Sequence, residues 1–208
     1  HGQCLIALSG GSTPKTLYQV LATPEWSARF DWSRMVFLFG DERCTPPDHP
    51  ESNFRMAQME LFQPLNIRPE QVYRMKGESD DTTAAAREYE ATIRRLTNSP
   101  APRVPVLDLV LLGIGEDGHT ASLFPGTAAL QEDKRIVTVG HAPAGIRSRL
   151  TVTLGVLNHA AVVLFLVTGS GKAHMVRRVL NQESEADRSL PAAKISPASG
   201  RLVWMLDH

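Results

Sequence analysis

The sequence predicts an α/β protein, a three-layer α/β/α sandwich around a mostly parallel sheet. Three observations predict it. Short apolar stretches alternate with amphipathic ones along the whole chain, the pattern of strands that each return through a helix. Two of these stretches, "LDLVLL" at 107–112 and "AAVVLFLV" at 160–167, are apolar on both faces, as strands covered on both sides must be. Several apolar stretches also end in glycine-rich or charged loops, which a parallel sheet gathers on one edge.

Each element has its own justification. Residues 4–8 read as the first strand. Residues 14–22 follow as a helix, with Leu17, Val20 and Leu21 on one face. Residues 35–39 are a strand that ends in the loop "GDER". The span 51–62 is helical, apolar at Met56, Met59 and Leu61, and 71–75 suits a short strand. The longest helix is expected over 80–96, capped by Asp80 or Asp81, with Tyr89, Ile93 and Leu96 facing the core. "SPAP" at 99–102 breaks the chain. Further strands are expected at 107–112, 135–139, 150–154, 161–167 and 202–206. A short helix is expected near 119–123 and another over 172–180. No linker or internal repeat divides the chain, so residues 1–208 are expected to form one domain with a Rossmann-like sheet.

Composition narrows the function. The 22 basic and 22 acidic residues balance, so no face is built for a polyanion and nucleic acid is not expected as a partner. The longest nearly unbroken apolar run, 160–167, is too short to span a bilayer, and no signal peptide is visible. Cys4 and Cys44 fit neither a metal pattern nor a disulfide framework, which points to a reducing, cytoplasmic setting. No histidine–cysteine–carboxylate cluster has metal-ligand spacing, so no metal is expected. Assembly is not fixed by sequence, and a monomer or weak homodimer is the expectation.

Four loops carry the chemistry. In "SGGSTP", 9–14, Gly10 and Gly11 allow close backbone approach, Ser12 or Thr13 suits a helix cap, and Pro14 suits the first turn. The free amides of such a helix start suit a phosphate, although an ordinary capped turn has the same composition. "TGSGK", 168–172, resembles a Walker loop but fails it: Leu166 stands where the first glycine belongs and Ala173 where the metal-binding hydroxyl belongs. Lys172 still suits one phosphate. "GIGEDG", 113–118, matches the dinucleotide pattern G-x-G-x-x-G, yet Glu116 and Asp117 put negative charge where a pyrophosphate would sit. Beside it, His119 lies two residues from Asp117, and a carboxylate so placed orients an imidazole as a general base. Asp41 and Arg43 end the second strand, where a guanidinium suits phosphate or a polarised carbonyl oxygen. A structural ion pair between Arg43 and Asp41 or Glu42 is an equally open reading.

Taken together, "ALSGGSTP", "GDER" with "PESNF", "LDLVLLGIGEDGHTASLFPG", "RLTVTLGVLN" and "VTGSGKA" resemble the blocks of the 6-phosphogluconolactonase family. The resemblance runs from about residue 5 to 204, and the block around His119 is its most specific part. It implies a sugar-phosphate isomerase-like fold shared with glucosamine-6-phosphate deaminases. It implies hydrolysis of 6-phospho-D-glucono-1,5-lactone to 6-phospho-D-gluconate in the oxidative pentose phosphate pathway, with a small phosphorylated lactone as partner and no cofactor. Family members carry a helix ahead of the first strand, so a segment before His1 is expected to be missing.

On this resemblance His119 would take the proton from water and Asp117 would hold it. Arg43 would serve the carbonyl oxygen or the phosphate, and Asp41 would orient Arg43 or a sugar hydroxyl. Gly10, Gly11, Ser12, Thr13 and Lys172 would hold the phosphate, with Arg149 a second candidate and Asn53 near the substrate, although Asn53 suits a helix cap equally well. The related deaminases carry a glutamate where this chain has Phe124 and tend to carry a tyrosine where it has Arg43, and both departures favour the lactonase. Two other readings remain open at this level: a nicotinamide-dependent oxidoreductase using "GIGEDG", and a sugar-phosphate sensor without chemistry.

Overall fold

A computed structural model describes residues 2–207. Five parallel strands, β1 (Cys4–Leu8), β2 (Met35–Phe39), β4 (Leu109–Leu112), β7 (Val162–Val167) and β8 (Arg201–Leu206), form one sheet in the order β2-β1-β4-β7-β8. The helices are α1 (Ser12–Leu21), α2 (Pro24–Ser27), α3 (Asn53–Ala57), α4 (Thr82–Thr97), α5 (Leu154–Leu157), α6 (Ala173–Asn181) and α7 (Glu185–Arg188). A wider π-type turn carries α3 on to Phe62.

The strands explain the layers. Side chains alternate across a strand, so one strand feeds two cores. Ile6 and Leu8, Phe37 and Phe39, and Leu111 face a core completed by Tyr18 of α1 and by Ala57, Leu61 and Phe62. Ala7, Leu38, Val110 and Leu112 face the opposite core, which Ala85, Ala86, Tyr89 and Ile93 of α4 and Met175, Val176 and Val179 of α6 complete. This doubly covered arrangement is the expected α/β/α class. Asp81 caps α4 by accepting from the Ala84 amide at 2.9 Å.

Four expectations need correction. The strands β5 (Val137–His141) and β6 (Ser148–Val152) do not join the parallel sheet. They form a separate antiparallel sheet with β3 (Asp41–Arg43), in the order β3-β6-β5, so "GDER" is partly a strand rather than a loop. The helix expected at 119–123 is absent. Ala121 sits at φ 48°, and the local backbone bonds close a compact loop instead, with the Gly115 amide donating to the His119 carbonyl at 2.9 Å. The strand expected at 71–75 is reduced to one bridge between Val72 and Phe37. Val20 and Met59, expected to face the core, are exposed at 40% and 51%, because Tyr18 and Leu61 take the inward positions. No helix among the described residues is long and apolar enough to cross a membrane.

Candidate active site

The strand order reverses beside β1: β2 lies on one side of it and β4 on the other. A crevice therefore opens beyond the carboxyl ends of β1 and β4, where open α/β sheets bind ligands. A cleft of about 240 Å³ occupies this place. Gly10, Gly11, Asp41, Arg43, Asn53, His119 and Lys172, all anticipated from sequence, line it. Ser9, Gly113, Ile114, Gly115 and Ala121 line it too and were not anticipated. The signal for Ser9 and Gly115 was in the quoted loops, whose other residues were weighed in their stead.

His119 lines the cleft and is paired with Asp117, which lies outside the lining. Asp117 Oδ1 lies 2.5 Å from His119 Nδ1 and also accepts the His119 amide at 3.1 Å. Burial opposes the charge on Asp117, but the amide and ring N–H of His119 outweigh it and hold the carboxyl below the usual aspartate range. An ionised carboxylate only accepts hydrogen bonds. His119 Nδ1 therefore carries a proton, and in the neutral ring Nε2 is the nitrogen with the lone pair. The ring of Phe124 lies against the imidazole with centroids 4.4 Å apart, which fixes its tilt.

Glycines make room for this pair. A Cβ on Gly115 would run into the His119 ring and the Asp117 carboxylate, and one on Gly10 would run into the Asn53 side chain. Gly10, read as part of a phosphate cradle, thus also lets the Asn53 side chain approach the backbone, and Gly115 of the dinucleotide-like pattern does the same for His119 and Asp117.

Asp41 does not orient Arg43. Its carboxylate accepts from Ser122 Oγ at 2.6 Å and from Asn53 Nδ2 at 3.2 Å, and it is buried. Arg43 Nη1 instead donates to the Glu51 carbonyl at 2.7 Å, and its buried Nε has no partner. Ser52, not Asn53, caps α3, its Oγ accepting from the Arg55 amide. This frees Asn53 to face the cleft.

Ser12, Thr13 and Arg149 fall outside the cleft lining. Neither Ser12 nor Thr13 caps α1, whose first turn has no side-chain cap, and Thr13 Oγ1 instead meets Thr168 Oγ1 at 2.7 Å. Arg149 pairs with Arg43 across the β3–β6 ladder and is buried with Nε and Nη1 unpartnered. Burial and the neighbouring Arg43 charge both push its pKa down. Lys172 ends a 3₁₀ turn before α6, its ammonium 4.0 Å from the exposed Glu116. Among the described residues, no group of three or more His, Cys, Asp or Glu side chains gathers as metal ligands would.

Comparison with known proteins gives the family. The model of the family described as glucosamine-6-phosphate isomerases/6-phosphogluconolactonase matches residues 1–204, and the chain belongs to that family. A 6-phosphogluconolactonase of Synechocystis sp. is 39% identical over 208 residues, covering 100% of this chain and 83% of that protein. The rat 6-phosphogluconolactonase is 39% identical over 212 residues, covering 100% of this chain and 79% of that protein. The crystal structure of 6-phosphogluconolactonase from Leishmania guyanensis superposes with a TM-score of 0.85 at 33% identity, covering 99% of this chain and 84% of that one. A monomeric glucosamine-6-phosphate deaminase, TM-score 0.77 at 23% identity over 99% of this chain and 86% of that one, shares the fold.

Proposed function

We propose that the cleft hydrolyses 6-phospho-D-glucono-1,5-lactone to 6-phospho-D-gluconate. The relatives named 6-phosphogluconolactonase support the reaction. The observation that carries its chemistry is the Asp117–His119 pair in a cleft that also holds Lys172 and Arg43.

A lactone is a cyclic ester. Water attacks the C1 carbonyl while His119 Nε2 takes its proton. Asp117 stabilises the imidazolium that forms. The ring C1–O bond then breaks, and the departing oxygen takes the proton back from His119. The product is an open hydroxy acid, which ionises at neutral pH. Lys172 and the uncapped first turn of α1, with Gly10 and Gly11 ahead of it, suit the phosphate. Ser12 and Thr13 contribute through their main chain in this reading. Arg43, with Arg149 behind it, supplies positive charge to the anionic substrate. Asn53 and Asp41 form the wall facing the sugar.

The test is lactone decay. The lactone is generated in place from glucose 6-phosphate and followed with wild type, with His119→Ala and without enzyme. Wild type should far exceed the spontaneous rate, and His119→Ala should fall roughly 10²–10⁴-fold while remaining folded. A variant within a few-fold of wild type removes His119 as the base. Decay at the spontaneous rate with folded wild type removes the lactonase reading.

A further inference from the structure

Strand β3 places Asp41 and Arg43 on the cleft and turns Glu42, between them, into the interior at 3% exposure. No ion pair among the described residues includes Glu42. Burial pushes its carboxyl above the usual range against the pull of three backbone amides, and Asp41 beside it adds to the rise. A buried carboxylate without a cation costs stability, so its presence calls for a use.

Its contacts indicate one. Oε1 accepts from the amides of Arg43 and Asn53, each at 2.8 Å. Oε2 accepts from the Phe54 amide at 2.8 Å and Ser52 Oγ at 3.1 Å. One oxygen therefore ties together the main chains of two cleft residues that belong to different elements. Asn53 reaches back through Nδ2 to the Asp41 carbonyl at 2.9 Å, closing the loop. Ser52 Oγ takes only the Arg55 amide, so Glu42 also satisfies the Asn53 and Phe54 amides that open α3. That service to the helix start does not account for the bond to the Arg43 amide, which lies on β3. A site that faces donors from both sides needs a group that only accepts, and a glutamine would point its amide hydrogens at one set of them.

We infer that Glu42 is a positioning residue for substrate recognition: its carboxylate sets the spacing of Arg43 and Asn53 and so shapes the wall that meets the substrate. This rests on the lactonase reading of the cleft.

The experiment measures kcat, KM and thermal unfolding for wild type, Glu42→Gln, Asn53→Ala and the double variant. Glu42→Gln turns an amide N–H toward buried donors but is relieved of a buried charge, so its unfolding midpoint should fall while the protein stays folded at the assay temperature. KM should rise about tenfold and kcat change less than about threefold. In the Asn53→Ala background, adding Glu42→Gln should change KM less than about twofold, because the two act as one unit. Unaltered kinetics in folded Glu42→Gln, or fully multiplicative effects in the double variant, overturn the inference. If Glu42→Gln does not fold, Glu42→Asp decides, since it keeps the charge but draws both oxygens back by one methylene. A raised KM then supports the inference, and an unchanged one overturns it. Wild type without lactone hydrolysis fails the functional reading and takes this inference with it, whereas active wild type with unaltered variants fails this inference alone.

Discussion

At Gly115 a single missing methyl group decides whether the Asp117–His119 pair exists. The Cβ of any other residue there would clash with both the His119 ring and the Asp117 carboxylate. The loop has little room to yield, since the Gly115 amide donates to the His119 carbonyl and its carbonyl accepts from the Gly118 amide. Gly115→Ala should therefore turn the imidazole off its carboxylate and lower kcat by at least about tenfold, with KM changed far less. Steady-state kinetics beside a circular dichroism spectrum checks this, and wild-type kcat in the alanine variant would show that the loop accommodates the methyl. The pairing of His119 with Asp117 was legible in the sequence because they stand two residues apart in a loop of unusual composition. The fate of Asp41 was not. Its partners Ser122 and Asn53 lie 81 and 12 residues away, and nothing local distinguishes a carboxylate held by them from one paired with Arg43.

Elements repeat the lesson over longer spans. Helix α4 was legible almost to its ends, because an aspartate cap and an apolar stripe at helical spacing are local properties. The helix expected at 119–123 was wrong for a local reason as well: Ala121 in the left-handed region ends any helix there, and alanine gives no warning of it. What sequence reading left out is how α4 grips the sheet. The Tyr89 hydroxyl, fully buried in the core, accepts the Phe39 amide at 2.7 Å and donates to the Phe39 or Tyr73 carbonyl at 3.2 and 3.3 Å. Phe39 is the last residue of β2, so this contact pins the strand end from which Gly40 leads to the cleft. Tyr89→Phe keeps the ring but leaves a buried amide without its acceptor, and should cost about 1–3 kcal/mol. Urea unfolding of the two proteins measures it. Equal midpoints would mean that another group takes over the Phe39 amide.

Across the whole molecule, the cleft belongs to two sheets at once. The main chain crosses from one to the other at Gly40, whose amide donates to the Leu8 carbonyl of β1 and whose carbonyl accepts from the Val152 amide of β6, both at 2.9 Å. On one side stand the β1–α1 turn and the loop after β7, tied together through Thr13 and Thr168. On the other stand β3 and the start of α3, tied by Glu42 and Asn53. Sequence reading saw the strand ends but placed every strand in one sheet, because the stretches around 137–141 and 148–152 have the same apolar alternation as an edge of the parallel sheet. Their partner is set by the long-range ladder to β3, with Arg43 opposite Arg149. A formal net charge of zero likewise conceals a cleft carrying Arg43 and Lys172, with Arg149 behind it, in which Asp41 is already engaged. An anionic sugar bound there must draw on both halves. Hydrogen exchange with and without 6-phosphogluconate tests this: amides 10–13 and amides 43–54 should slow together, while those of Arg201–Leu206, at the far edge of the parallel sheet, should exchange as before. Protection confined to amides 10–13 would place the ligand on the first sheet alone and remove β3 and α3 from substrate binding.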